Sequence, residues 1–366
     1  MKLTIDQATI VEVFNQLSRF KGKEVLQNIS LNVSKEEAIF RATDGEVSYT
    51  RKLSLIDNKL ITVEKIGSVL LPPKVEEVIR KLSKSSISIQ VLENGQIELK
   101  QGKTSAKVNA AQGEFPNLPN VEKQEAIKLS TKVLSMLCSQ TAFAASEKDG
   151  RPVLKAIHME SDDQQFKVIC TDSYRLSQKV LNKSLSLPVL NIPAKPLMYV
   201  IQTLDEDASL QLFAAGNHIV ITTEESEIYI RQLEGTFPDV SRLLSAKPLS
   251  KVTVQKGEIL SAIECALTFT KNEKDRQITI EPVEDNNLKI YSTGEEGSLE
   301  SFVQGDFENV EKIQKFTVNA GYLTAAIKAF IKPEITFQYE SSTKPILLVS
   351  KSDPTLTQMV VPIRTN

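Results

Sequence analysis

The sequence predicts an α+β fold written three times, and three observations predict it. The 366 residues divide into three stretches of 122, and landmarks recur near that period. Val25-Leu26 stand 18 positions before Thr43-Asp44, and Val153-Leu154 stand 18 before Thr171-Asp172. Phe115-Pro116-Asn117 returns as Phe237-Pro238-Asp239, 122 residues on. The last stretch is looser, with Ile278 fifteen residues before Thr293. Repeats of about 20 to 50 residues make solenoids and propellers. A period of 122 is a whole domain. The expected domains are 1–121, 122–245 and 246–366.

Each domain opens with a short strand that runs into an amphipathic helix. Leu3-Thr4-Ile5 leads to Asp6, an N-cap type of residue, then to Ile10, Phe14 and Leu17 on one face. Ile127-Lys128-Leu129 leads to Ser130, then Val133, Leu134, Leu137 and Cys138. Val252-Thr253-Val254 leads to Gln255, a poorer cap, then Ile259, Leu260, Ile263 and Leu267. Alternating segments such as Ile29–Val33 and Val168–Cys170 follow as strands. A second helix comes after another strand, over 74–82, 195–204 and 321–330. Strands close the domain, with turns at Glu93-Asn94-Gly95 and Ala215-Gly216-Asn217. The polar stretches 83–88, 120–124 and 245–250 are expected as connections, the last two between domains. This is antiparallel sheet with helices on one face.

Composition excludes several classes. Charged residues at 25% and hydrophobic ones at 41% are ordinary for a globular protein. No run approaches the roughly 20 apolar residues of a membrane helix, and the start lacks a signal-peptide core, so a cytoplasmic, soluble protein is expected. Cys138, Cys170 and Cys265 are odd in number and unclustered, which favours buried thiols over a disulfide frame or zinc site. Two histidines and no tryptophan leave little for acid–base chemistry. No catalytic residue, metal or cofactor is expected. Gly102-Lys103-Thr104 resembles the end of a P-loop, but Ile97 stands where its first glycine belongs. Asp162-Asp163 and Asp205-Glu206-Asp207 suit solvated turns. Ser209–Phe213 aligns with Ser86–Gln90 as a strand.

Charge is unevenly placed. The chain carries −2, the predicted helices sum to +7, and strands and loops therefore hold −9. Helices lining one mildly positive surface would suit a partner held by few phosphate contacts, free to slide.

Several strings at their spacings carry a family resemblance along the whole chain. They are Arg151-Pro152-Val153-Leu154, Thr171-Asp172-Ser173-Tyr174-Arg175-Leu176, Leu233-Glu234-Gly235-Thr236-Phe237-Pro238-Asp239, Glu114-Phe115-Pro116-Asn117-Leu118-Pro119 and the terminal Val360-Val361-Pro362-Ile363-Arg364. Together with the threefold repeat, they resemble the bacterial DNA polymerase III beta subunit, the sliding clamp. The resemblance implies three DNA-clamp domains with sheets outside and helices inside, closed as a head-to-tail homodimeric ring around duplex DNA. It implies a processivity factor without catalytic activity. Its implied partners are DNA polymerase III alpha, other polymerases, the clamp loader, mismatch-repair proteins and ligase. A rival reading is a diverged, non-ring α+β scaffold that binds partner peptides through the same pocket.

Carried over by the resemblance, the partner pocket comprises Leu154, Thr171, Tyr174, Arg175, Leu176, Pro238, Arg242, Leu243, Val360, Val361, Pro362, Ile363 and Arg364. Aliphatic walls would bury a partner's Leu and Phe, and the arginines would form a polar rim. Thr171-Asp172 also suits a plain turn, because Thr43-Asp44 repeats it; Tyr174-Arg175-Leu176 has no such counterpart. The resembled family usually carries histidine where this chain has Tyr174. DNA contacts are expected from Lys21, Lys23, Arg80, Lys81, Lys148, Arg151, Lys271, Arg276 and Lys328, on or just after helices of the lumen.

Overall fold

The first strand ends where its last side chain turns back on the backbone. Asp6 accepts hydrogen bonds from the N–H groups of Ala8 and Thr9 at 3.0 and 3.3 Å, which starts the Gln7–Leu17 helix. Ile10, Val13, Phe14 and Leu17 then bury one face of it. Asn319 caps Ala320–Lys328 in the same way through Tyr322, whereas Gln255 caps Lys256–Leu267 with no side-chain bond. Pro73–Lys81 begins with proline, whose missing N–H costs nothing at a helix start.

The computed structural model describes every residue except 57, 58, 124, 149, 246, 247, 271–275, 296, 310–313, 365 and 366. It is an α+β architecture of antiparallel strands with few helices. The chain forms two compact units, one of residues 1–134 and 195–232, the other of 135–194 and 233–366.

The first unit holds two sheets. One has five strands, with Lys2–Asp6 between Ile61–Lys65 and Ser86–Val91, and Thr104–Asn109 at its far edge. The other has eight and joins two thirds of the sequence. Four strands of the first third end at Val47–Ser54, which pairs antiparallel with Ser226–Arg231 of the second. The Gln7–Leu17 and Pro73–Lys81 helices pack on each other and on these strands.

The second unit repeats that junction. Arg175–Leu181 pairs with Asp353–Val360, so four strands of the second third continue into those of the last in a twelve-stranded sheet. Asp353–Val360, the last strand of the chain, therefore lies inside the sheet, between Arg175–Leu181 and Ile346–Ser350. Lys179 and Asp353 bind across this junction at 2.7 Å, with the lysine side chain only 5% exposed. Two expectations need correction. Residues 83–88 are not all connection, because a strand starts at Ser86 as the cross-strand pairing of Ile87 with Ile5 requires. Cys138 and Cys170 are buried, but Cys265 is exposed on the outer side of its helix.

Candidate peptide-binding site

The site begins as a turn. Between two strands of the second unit, Thr171 Oγ1 donates to the Arg175 carbonyl at 2.7 Å and accepts from the Ser173 N–H. Asp172 Oδ1 accepts from the N–H groups of Tyr174 and Arg175 at 2.9 and 3.0 Å. These bonds hold Ser173 at a φ of 78°, in the left-handed region. The turn thus presents Tyr174 and Arg175 side by side.

Arg175 is then fixed from several sides. Its Nε donates to Asp172 Oδ2 at 3.0 Å. Its guanidinium lies 4.6 Å from the ring centre of Tyr322 and 5.7 Å from that of Phe143. Tyr174, 54% exposed, stacks on Tyr322 with ring centres 6.5 Å apart, and Lys148 Nζ lies over the Tyr174 ring, 5.6 Å from its centre. Burial, with the nearby Asp172 carboxylate, raises the Tyr322 phenol above its ordinary pKa and keeps it neutral.

Beneath this turn lies an apolar cluster. Leu154 and Leu176 pack there with Val153, Ile169, Phe237, Val240, Leu347 and Met359, and Leu244 and Val361 cover it while half-buried. Phe237 is held flat against His158, ring centres 4.3 Å apart. The Gly235 backbone at φ 114° runs close over Val153. The carboxyl-terminal tail completes the wall. Val361 N–H donates to the Tyr174 carbonyl at 2.9 Å, and Ile363 N–H to the Thr317 carbonyl at 2.7 Å.

Thr171, Tyr174, Arg175, Leu176, Leu154 and Val361 are thus brought together, with Pro238, Arg242 and Leu243 on the exposed segment that follows Phe237. Val360 is fully buried in the neighbouring core cluster and supports the tail from within. Pro362 is buried; Arg364 is exposed. Three contributors escaped the sequence reading. Tyr322 and Phe143 lie far from the turn along the chain, and Asp172 looked like a turn residue only, though it also orients Arg175. The one available signal was the Asp-to-Arg spacing of three.

The DNA candidates differ in their local setting. Lys21 is half-buried and ion-paired with Glu76, while Arg80 donates to Asn15 at 2.6 Å. Lys23, Lys81 and Arg151 are exposed. Lys328 pairs with Glu264 at 2.9 Å on the Lys256–Leu267 helix. The Arg276 carbonyl accepts from the Ala320 N–H at 2.7 Å, at the start of the Ala320–Lys328 helix. Lys148 stands beside Tyr174 rather than on a helix. Lys271 lies outside the described residues. Among the described residues, no group of three His, Cys, Asp or Glu side chains could hold a metal, and no helix is long and apolar enough to cross a membrane.

Models of the DNA polymerase III beta subunit match in three consecutive pieces. The N-terminal domain matches residues 1–119, the central domain 128–239 and the C-terminal domain 241–364. The beta sliding clamp of Staphylococcus aureus is 28% identical over 351 residues, 93% of this chain and 92% of that one. The Staphylococcus epidermidis beta sliding clamp is 27% identical over 350 residues, with the same shares covered. Among crystal structures, the beta subunit of Streptococcus pyogenes DNA polymerase superposes with a TM-score of 0.93 at 22% identity. The Bacillus subtilis sliding clamp gives 0.93 at 23%, and both matches cover all of each chain.

Proposed function

The chain belongs to the DNA polymerase III beta subunit family, the sliding clamps of DNA replication, and from that premise we propose how it binds its partners and closes its ring. It is a processivity factor, which keeps a polymerase on duplex DNA. A topological hold makes tight phosphate contact unnecessary, and few contacts leave the protein free to slide.

Partners dock by a short peptide at the Tyr174–Leu176 turn. The observation that carries this is the turn itself: Tyr174 and Arg175 are pinned against the carboxyl-terminal tail, above an apolar floor. Leu and Phe side chains of a peptide would bury on that floor, and fixed guanidinium and backbone groups would orient it. Polymerase III alpha, other polymerases, the clamp loader, mismatch-repair proteins and ligase are the proposed users. The chain supplies no catalysis of its own. Arg80, Lys81, Lys23, Arg151, Lys148, Arg276, Lys271 and Lys328 remain the proposed DNA contacts, with Lys21 held back by Glu76.

Three domains, 1–121, 122–245 and 246–366, account for the sequence period, and the repeat supports a ring. Val47–Ser54 and Arg175–Leu181 each follow an equivalent turn, and each pairs with a later domain's edge. The third such strand, Gly297–Glu308, pairs on its outer side only over its last four residues, 305–308. Thr104–Asn109, the counterpart of Ser226–Arg231, is likewise an edge. Those two edges in two copies would make the head-to-tail contact that closes.

The test is fluorescence anisotropy of a labelled Gln-Leu-Ser-Leu-Phe peptide against the protein and its Arg175→Ala/Leu176→Ala variant. Saturable binding lost in the variant is expected, and no binding by the unmodified protein would overturn the pocket. Sedimentation separates the readings of assembly: a non-ring scaffold runs near the chain mass of 40.7 kDa, the ring at twice that.

A further inference from the structure

Where the tail leaves the turn, it borders a second depression. Ile363 and Arg364 form one wall of a cleft of about 750 Å³, and Phe316 gives part of its floor. The rest is polar: Thr279, Thr317, Ser342 and Thr343 supply hydroxyls, and Lys315 supplies a second cation. No carboxylate lies among the described lining residues. Neither Lys315 nor Arg364 has an ion-pair partner among the described residues. Two cations and several hydroxyls facing one cleft, in a chain of net charge −2, make an anion-binding surface. The strand-like tail links it to the peptide pocket. Val361 is bonded to Tyr174 at one end, and Ile363 to Thr317 at the other, two residues along.

We propose that this cleft takes the carboxylates of acidic residues flanking a partner's docking peptide. The inference rests on the peptide pocket proposed above and names a preference within it. An Asp or Glu just outside the apolar core of the peptide reaches Lys315, with the Thr343 hydroxyl beside it. The contact is solvent-exposed, so it ranks partners rather than creating binding.

The experiment compares three labelled peptides: the bare Gln-Leu-Ser-Leu-Phe core, and the core with three Asp residues on its amino or carboxyl side. Each is titrated with the unmodified protein and with Lys315→Ala and Lys315→Glu variants, at low and high salt. One acidic peptide should bind about three- to tenfold tighter than the core, less so at high salt. Lys315→Ala should remove most of that gain and Lys315→Glu should reverse it, with the core peptide unaffected. Equal binding of core and acidic peptides, or a gain that survives Lys315→Glu, overturns the cleft and leaves the pocket standing. Failure of the core peptide to bind at all overturns both.

Discussion

The turn at Thr43-Asp44 and the turn at Thr171-Asp172 are the same object in backbone terms. In each, the threonine hydroxyl donates to a carbonyl four residues on, that of Val47 or of Arg175, at 2.7 Å. In each, the aspartate accepts from two successive N–H groups. Each is also followed by a strand that pairs with a later third of the chain, and a residue of that later strand or its exit donates back to the turn: Arg231 N–H to Glu46, Val361 N–H to Tyr174. The side chains then part company. One turn carries Gly45, Glu46 and Val47, and the other Ser173, Tyr174 and Arg175. The repeat supplies the scaffold and a few replaced side chains supply the site. Function lives on a graft.

Removing the ion pair beyond the second turn should have the largest effect. Asp353 is partly buried, which alone would raise its pKa; the hydrogen bonds from Lys179 and Thr355 outweigh that and hold it below the ordinary carboxylate range. A depressed folded-state pKa gives stability that is full above the unfolded value, about 3.9, and drains as pH falls through the folded one. Asp353→Asn should cost about 3–5 kcal/mol at neutral pH by leaving Lys179 unpaired, and flatten the acid limb. Urea denaturation at pH 7 and at about pH 2.5, below the unfolded value, measures both. A loss of under 1 kcal/mol would mean that the junction does not depend on the pair.

Exchanging side chains between the turns comes next. Tyr174→Glu/Arg175→Val should reduce core-peptide affinity at least about thirtyfold, as loss of anchoring residues does, with little change in urea midpoint. Similar affinity would show that the backbone turn, not its side chains, is the site. Asp44→Ala and Asp172→Ala should each lose about 1–2 kcal/mol of stability as their N–H partners go unmet, but only Asp172→Ala should also weaken peptide binding, because only Asp172 orients Arg175. The smallest effect is Ser173→Gly. At φ 78° a glycine relieves strain, so stability should rise by up to about 1 kcal/mol in thermal melts. A fall would indicate that the Ser173 side chain contributes more than its backbone costs.

Much of the fold was legible because the signals that encode it are local. Period-two and period-3.6 patterns and the cap at Asp6 mark the elements, and recurring strings such as Phe-Pro-Asn and Phe-Pro-Asp mark the repeat. Which strands pair is not local. Nothing in Val47–Ser54 announces Ser226–Arg231 as its neighbour, so the division of the middle third between two sheets went unread. The same limit hid Tyr322 and Phe143, which join the site only through packing. Lys148 likewise meets Tyr174 only through the fold, 26 residues along the chain. Val360 looked like pocket wall and lies in the core, so a truncation meant to remove the wall alone should begin at Val361.

The position of the Asp353–Val360 strand has a consequence for biosynthesis. A ribosome makes this segment after the other eleven strands of its sheet, yet the sheet needs it in the interior, where it bridges the second and last thirds. Until Asp353–Val360 is translated, Arg175–Leu181 and Ile346–Ser350 each expose an unpaired edge, the feature by which strands aggregate or recruit chaperones. A product that stops before Asp353 therefore lacks both the strand that closes the sheet and the tail that walls the pocket.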